Sequence, residues 1–191
     1  MSIFDKLGSA QSTDGRNPFI AKPGTTIDSI VRIRAGETRE GVEFFAADLR
    51  VEKVVSNATL SGEVVKYNAD SARKPGEQVG VDPHQPGEEV TFYVKLAAPY
   101  LDNKLGNVKN FCEAALDAVN VELEAAGIEV FDYNSADFDW AEAIMDPEKG
   151  MAANDGTAFA GQRLIRQTEP RISKNGGLYF VSTFAMAPAD D

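Results

Sequence analysis

Apolar and polar positions alternate in several separate stretches of this chain, and a period of two is the mark of half-buried β-strands. From Thr25 to Arg34, Ile27, Val31 and Ile33 share one parity and Asp28, Arg32 and Arg34 the other, with Ile30 out of step. Gly36-Glu-Thr-Arg-Glu-Gly41 then reads as a turn. Val42–Val55 follows, with Phe45, Ala47, Leu49 and Val51 opposed to Phe44, Asp48, Arg50 and Glu52. Two alternating runs around a glycine-bearing loop predict a hairpin. Val90–Leu96 sets Val90, Phe92, Val94 and Leu96 against Thr91, Tyr93 and Lys95. Near the end, Phe159–Thr168 and Leu178–Met186 flank Lys174-Asn175-Gly176-Gly177, and Asn-Gly between strands signals a second hairpin. Leu178, Phe180, Phe184 and Met186 share one face of the last strand, and Tyr179, Val181 and Thr183 the other.

The period lengthens between the third strand and the final hairpin. Leu105, Val108, Phe111, Cys112, Ala115, Leu116 and Val119 recur at helical spacing and form one apolar stripe, with Asp102 or Asn103 placed to cap the helix. A shorter helix is expected from Ser135 to Met145, ended by Pro147, and residues 120–134 are ambiguous. Residues 1–24 read as an N-terminal arm, because Gly, Ser, Asn and Pro dominate and Pro18 and Pro23 stop any helix. Ser61–Tyr67 fits a short strand, and 69–89 a long polar surface loop containing the single histidine, His84. The expected architecture is mainly β (α+β): an OB-fold-like five-stranded barrel over residues 25–187, with one main inserted helix, a C-terminal β-hairpin and a short acidic tail at 188–191. A β-sandwich is the alternative.

Composition sharpens this in two ways. A single cysteine, Cys112, excludes an intrachain disulfide, and no run approaches the roughly 20 apolar residues of a membrane span; a cytoplasmic protein is expected. The net charge of −11 disfavours a polyanion binder on average, yet the charges are segregated. Twelve carboxylates between Glu113 and Asp155 face Lys149 alone, whereas from Gly156 to Met186 Arg163, Arg166, Arg171 and Lys174 face only Glu169.

No catalytic constellation is supported, so the protein is read as a non-enzyme. A triad needs a base, and His84 is expected to be an exposed loop residue. One histidine and one cysteine make no zinc site, and no cofactor is implied. The acids at Asp137, Asp139 and Glu142, and at Asp146, Glu148, Asn154 and Asp155, lack the spacing of a calcium loop. Cys112 reads as a buried thiol on the helix stripe. Glycine-rich phosphate-binding loops are missing too.

Binding remains. Single-stranded nucleic acid is held by cationic grooves and aromatic platforms, since every base offers a stackable face. The residues pointing away from the expected core are Arg32, Arg34, Phe44, Arg50, Tyr93 and Lys95, with Arg163, Arg166, Arg171, Lys174 and Tyr179 on the last hairpin. The plain alternative makes them ordinary solvent-facing strand residues.

Thr91-Phe-Tyr-Val-Lys-Leu96, Asn107-Val-Lys-Asn-Phe-Cys-Glu-Ala-Ala-Leu116, Gly161-Gln-Arg163 and Gly176-Gly-Leu-Tyr-Phe180, in that order, resemble small phage-encoded single-stranded-DNA-binding proteins. The likeness spans residues 25–187, chiefly as strand–helix–hairpin order. It implies an OB-type barrel, a role in phage replication or recombination, and as partners single-stranded nucleic acid, replication or recombination proteins, and a second copy of the chain. Relatives of that kind end in longer acidic tails, often with a terminal aromatic; here only Asp190 and Asp191 close the chain, which speaks against tail-mediated recruitment. The competing expectation is an acidic protein–protein module, either an inhibitor that imitates DNA or a virion accessory protein.

Overall fold

A computed structural model describes residues 2–11, 15–16, 22–57, 84–172 and 178–188. The elements run β1 (Gly15–Arg16), β2 (Gly24–Glu37), β3 (Glu43–Asn57), β4 (Glu89–Lys95), α1 (Leu101–Ala125), α2 (Trp140–Met145), β5 (Arg163–Ile172) and β6 (Leu178–Met186), with 3-10 turns at Ile3–Ser9 and Asn154–Gly156. The protein is mainly β. Five long strands and the two-residue β1 form one antiparallel sheet in the order β1-β6-β5-β2-β3-β4. The expected strand at Ser61–Tyr67, most of the 69–89 loop and the Asn175-Gly176 turn lie outside the described residues. Both flanks of that turn are present, and Ile172 pairs with Leu178 as a hairpin requires.

The sheet is strongly curled. Between β4 and β6 lie three strands, so flat geometry would set the two roughly 19 Å apart at ~4.8 Å per strand. Yet the Phe92 ring of β4 and the Phe184 ring of β6 meet edge to face at 5.1 Å. Helix α1 lies inside the curl. Phe111 stacks on Phe92 at 5.4 Å and meets Phe184 at 5.1 Å and Phe45 at 5.5 Å. The helical stripe is buried as its spacing predicts, from Leu105 and Val108 through Phe111, Cys112, Ala115 and Leu116. α1 continues to Ala125, claiming part of the ambiguous 120–134 stretch, and ends at Gly127, whose φ of +69° suits a residue without Cβ.

Three expectations need correcting here. Helix α1 is capped by neither Asp102 nor Asn103: it begins at Leu101, behind Tyr100 in the left-handed region, with no side-chain cap. The second helix covers only Trp140–Met145, where the Asp139 carboxylate accepts from the Glu142 N–H. Residues 2–11 are no free arm, because Phe4 and Leu7 are fully buried in the main core and Glu43 accepts from the Ser2 hydroxyl at 2.7 Å.

The fourth difference concerns β2. Its pairing with β3 shifts register after Thr25, Ile27 and Ile30. The first two leave Val55 and Glu52 of β3 as the extra residues, and the third leaves Val31 of β2; only that last bulge reverses which residues of β2 face inward. As a result Thr26, Asp28 and Ile30 point inward, opposite Leu164 and Arg166 of β5, while beyond the last shift Ile33 is the core residue. Simple alternation puts Asp28 on the outer face with Arg32 and Arg34; the bulge at Val31 separates them and leaves Asp28 in the interior.

Candidate nucleic-acid interface and buried polar cluster

The outer face of β2, β3 and β4 gathers six of the residues singled out from the pattern. Reading across the strands, Phe44 pairs with Lys95, Ala46 sits between Arg34 and Tyr93, Asp48 between Arg32 and Thr91, and Arg50 between Ser29 and Glu89. Across from Ser29 on its other side stands Arg163 of β5, which extends the same row. Phe44 and Tyr93 stack with centroids 5.7 Å apart and planes 22° from parallel. Alternation alone places these residues on one side, because β3 and β4 pair without a register shift.

Carboxylates are interleaved with the cations. Asp48 accepts from Arg32 Nη2 at 3.0 Å, Arg34 Nη2 at 2.9 Å and the Thr91 hydroxyl at 2.9 Å. Burial works to raise its carboxyl, but the hydrogen bonds from Arg32 and Thr91, together with Arg34, hold it below the usual range. Arg50 pairs with Glu89, Lys95 with Glu40 and Arg163 with Glu52, at 2.8, 2.6 and 2.8 Å. Five cations thus meet four carboxylates, and the face is nearly neutral. The side chains nevertheless remain partly open to solvent: Arg32, Arg34, Arg50 and Lys95 are 47%, 41%, 53% and 42% exposed. A hollow of about 280 Å³ opens beside Arg32 and Asp48, bounded by Val31, Glu89, Val90, Thr91 and Thr157.

Of the remaining candidates, Arg171 lies on β5 with a Glu169 carboxylate 3.7 Å away, opposite Tyr179 in the register, and Lys174 is outside the described residues. Arg166 corrects the expectation outright, for its side chain has no exposure at all. Antiparallel register pairs it with Phe184, a core residue, so it points into the curl and not toward solvent.

Inside, Arg166 organises a polar cluster that sequence reasoning missed. Its Nε donates to Asp28 Oδ2 at 2.6 Å, and Nη1 donates to Thr168 Oγ1 and to His84 Nε2, both at 3.2 Å. Thr168 in turn meets Ser182 at 3.0 Å. His84 Nδ1 donates to Glu88 Oε2 at 3.1 Å, and Lys22 Nζ reaches Glu88 Oε1 at 2.6 Å. His84 is therefore not an exposed loop residue; it is 3% exposed. The one available signal was Arg166 itself, which shares the parity of Leu164 on β5.

Among the described residues no three His, Cys, Asp or Glu side chains are grouped to hold a metal ion, and no helix is long and apolar enough to cross a membrane. Burial, reinforced by Glu113, pushes the Cys112 thiol well up, so it resists forming a thiolate. No protein-family model matches the chain, and a search of curated proteins finds no similar sequence.

Proposed function

We propose that this protein binds single-stranded DNA on the outer face of β2–β3–β4, with little sequence preference. The observation that carries the reading is the stacked Phe44–Tyr93 pair set among Arg32, Arg34, Arg50, Lys95 and Arg163 on one open sheet surface. Bases stack on such rings while the cations follow the phosphates. The carboxylate partners do not forbid this, because exposed ion pairs are worth only about 0–1 kcal/mol and a phosphate exchanges for them at small cost.

The connectivity supports the same reading. A three-strand meander, a helix, and a hairpin whose first strand returns to the start of the meander is the order of an OB-type barrel, here inferred as one left open between β4 and β6. OB proteins bind oligonucleotides on the face of their second and third strands. The corresponding strands are β3 and β4, which carry Phe44, Arg50, Tyr93 and Lys95. A role in phage-type replication or recombination, inside a cell, follows from the resemblance in strand–helix–hairpin order.

Fluorescence anisotropy with labelled oligo-dT tests the proposal. Five phosphate contacts on a single strand give a log–log salt slope of about −3.5, or roughly a hundredfold loss between 50 and 200 mM salt. Micromolar binding at 50 mM that fades in this way is the expected result. No binding at 50 mM, or binding indifferent to salt, removes the reading.

A second reading is favoured by the opposite flank. The segment 128–133 runs back along α1, tied by Ile128 N–H to Leu123 O at 2.9 Å, by Asn120 to both backbone groups of Phe131, and by Tyr133 to Asp117 at 2.6 Å. Phe131 and Tyr133 turn inward, leaving Ile128 and Val130 exposed in a region with no Lys or Arg from 110 to 148. That surface suits an acidic protein–protein module. Capture of a DNA-processing enzyme, without any oligonucleotide binding, would favour it.

A further inference from the structure

The buried cluster at the polar end of the curl fixes the protonation of its histidine by geometry. A guanidinium has only donors, so the Arg166 Nη1 facing His84 Nε2 at 3.2 Å requires a lone pair on that ring nitrogen. The ring proton then sits on Nδ1, where it meets the Glu88 carboxylate at 3.1 Å. Glu88 also accepts from Lys22 and from the Gln85 N–H, and residues 87 and 88 bond to both backbone groups of Val51 on β3, at 2.7 and 2.8 Å. The 84–88 segment is thus fastened at two places: to the edge of β3 by its backbone, and to the interior through His84.

We propose that His84 is a proton-operated clasp, closed when neutral and opened by acid, that holds residues 84–88 over the Arg166–Asp28 pair at the polar end of the curled sheet. A proton added at Nε2 sets two donors and two positive charges against each other at the Arg166 contact. The His84 side chain is only 2% exposed, so little water can screen them. The charged groups facing the imidazole are Arg166 from β5, Glu88 from its own segment and Lys22 from the entry to β2, with Asp28 of β2 beyond the guanidinium. Burial, then Arg166, then Lys22 disfavour the protonated ring, and Glu88 alone favours it; the balance lies below the ordinary histidine value. Relief comes only if the imidazole leaves the interior and takes the 84–88 backbone with it.

Two readouts on the intact protein test this. The His84 ring resonances, followed by NMR against pH, should titrate below about 6.5. Hydrogen-exchange protection of the Gly87 amide, corrected for intrinsic rates, should fall by up to about tenfold per pH unit between 6.5 and the His84 midpoint and then level off, since one proton is linked to opening. Amides paired between β3 and β4 should hold their protection over the same range. His84→Gln supplies an acceptor to Arg166 and a donor to Glu88 without a titrating proton, so its Gly87 protection should be flat. A ring that titrates at or above 6.5, Gly87 protection unchanged through the His84 midpoint, or the same acid loss in His84→Gln would each overturn the proposal. If His84→Gln does not fold, the two wild-type readouts decide by themselves.

Discussion

Removing the charge of Asp28 is the most informative change to make in the interior. Asp28 and Arg166 are both fully buried, and Arg166 Nε reaches Asp28 Oδ2 at 2.6 Å with Nη2 3.5 Å from Oδ1. Asp28→Asn keeps the shape and one acceptor oxygen but leaves a guanidinium in the interior without its counter-charge. Breaking a buried pair from one side costs about 3–5 kcal/mol, because the surviving charge has lost both water and counter-ion. That is a large share of the 5–15 kcal/mol by which a domain is stable. The double change Asp28→Leu with Arg166→Met removes both charges and fills the space with apolar atoms of similar size. It should return to within about 2 kcal/mol of wild type, since replacing a buried ion pair by hydrophobic groups is often neutral or stabilising. Urea unfolding of wild type, the two single changes and the double change gives a coupling energy. A cost below about 1 kcal/mol for Asp28→Asn, or costs that simply add in the double variant, would refute the reasoning and mean that water reaches the pair.

Three further outcomes are expected. Phe111→Ala removes the ring that touches Phe45, Phe92 and Phe184 at once and should cost about 3–5 kcal/mol by urea unfolding. Asp48→Asn frees Arg32 and Arg34 from their shared carboxylate, so oligo-dT should bind several-fold more tightly and with a steeper salt slope in an anisotropy titration. The carboxyls of Asp48 and Glu88 are both held low against the opposing effect of burial, Asp48 by Arg32, Thr91 and Arg34 and Glu88 by Lys22, the Gln85 N–H and His84. Their stabilisation is complete above the ordinary carboxylate range near pH 4 and is lost as pH falls through their folded values, so thermal melting scanned below pH 5 should decline less steeply in Glu88→Gln.

The sequence was most legible where one strict period ran without interruption. In β3 and β4 the inward sets Phe45, Ala47, Leu49 and Val51, and Val90, Phe92 and Val94, are buried as alternation requires. The stripe of α1 was equally plain, and the outer set of Phe44, Arg50, Tyr93 and Lys95 followed by elimination. What failed was β2, where one bulge at Val31 reverses parity inside the strand and nothing local announces it. Asp28 was assigned to solvent for that reason, and with it went the chance to see Arg166 as its partner across 138 residues of sequence and His84 as the partner of Arg166 across 82. Residues 2–11 misled through composition. Phe4 and Leu7 are two isolated apolar anchors in a polar stretch, too few for periodicity to detect, yet both reach the core. Ion pairs across strands, such as Arg163 with Glu52, depend on register and were equally hidden.

Mapping backbone amide shifts while single-stranded oligo-dT is added at low salt bears most directly on what this molecule is for. Shifts concentrated at residues 32–36, 44–50 and 91–95, abolished together by the Phe44→Ala and Tyr93→Ala pair, are what a β2–β3–β4 binding surface predicts. Shifts confined to the 117–132 flank, or a spectrum that does not respond to DNA, would contradict it.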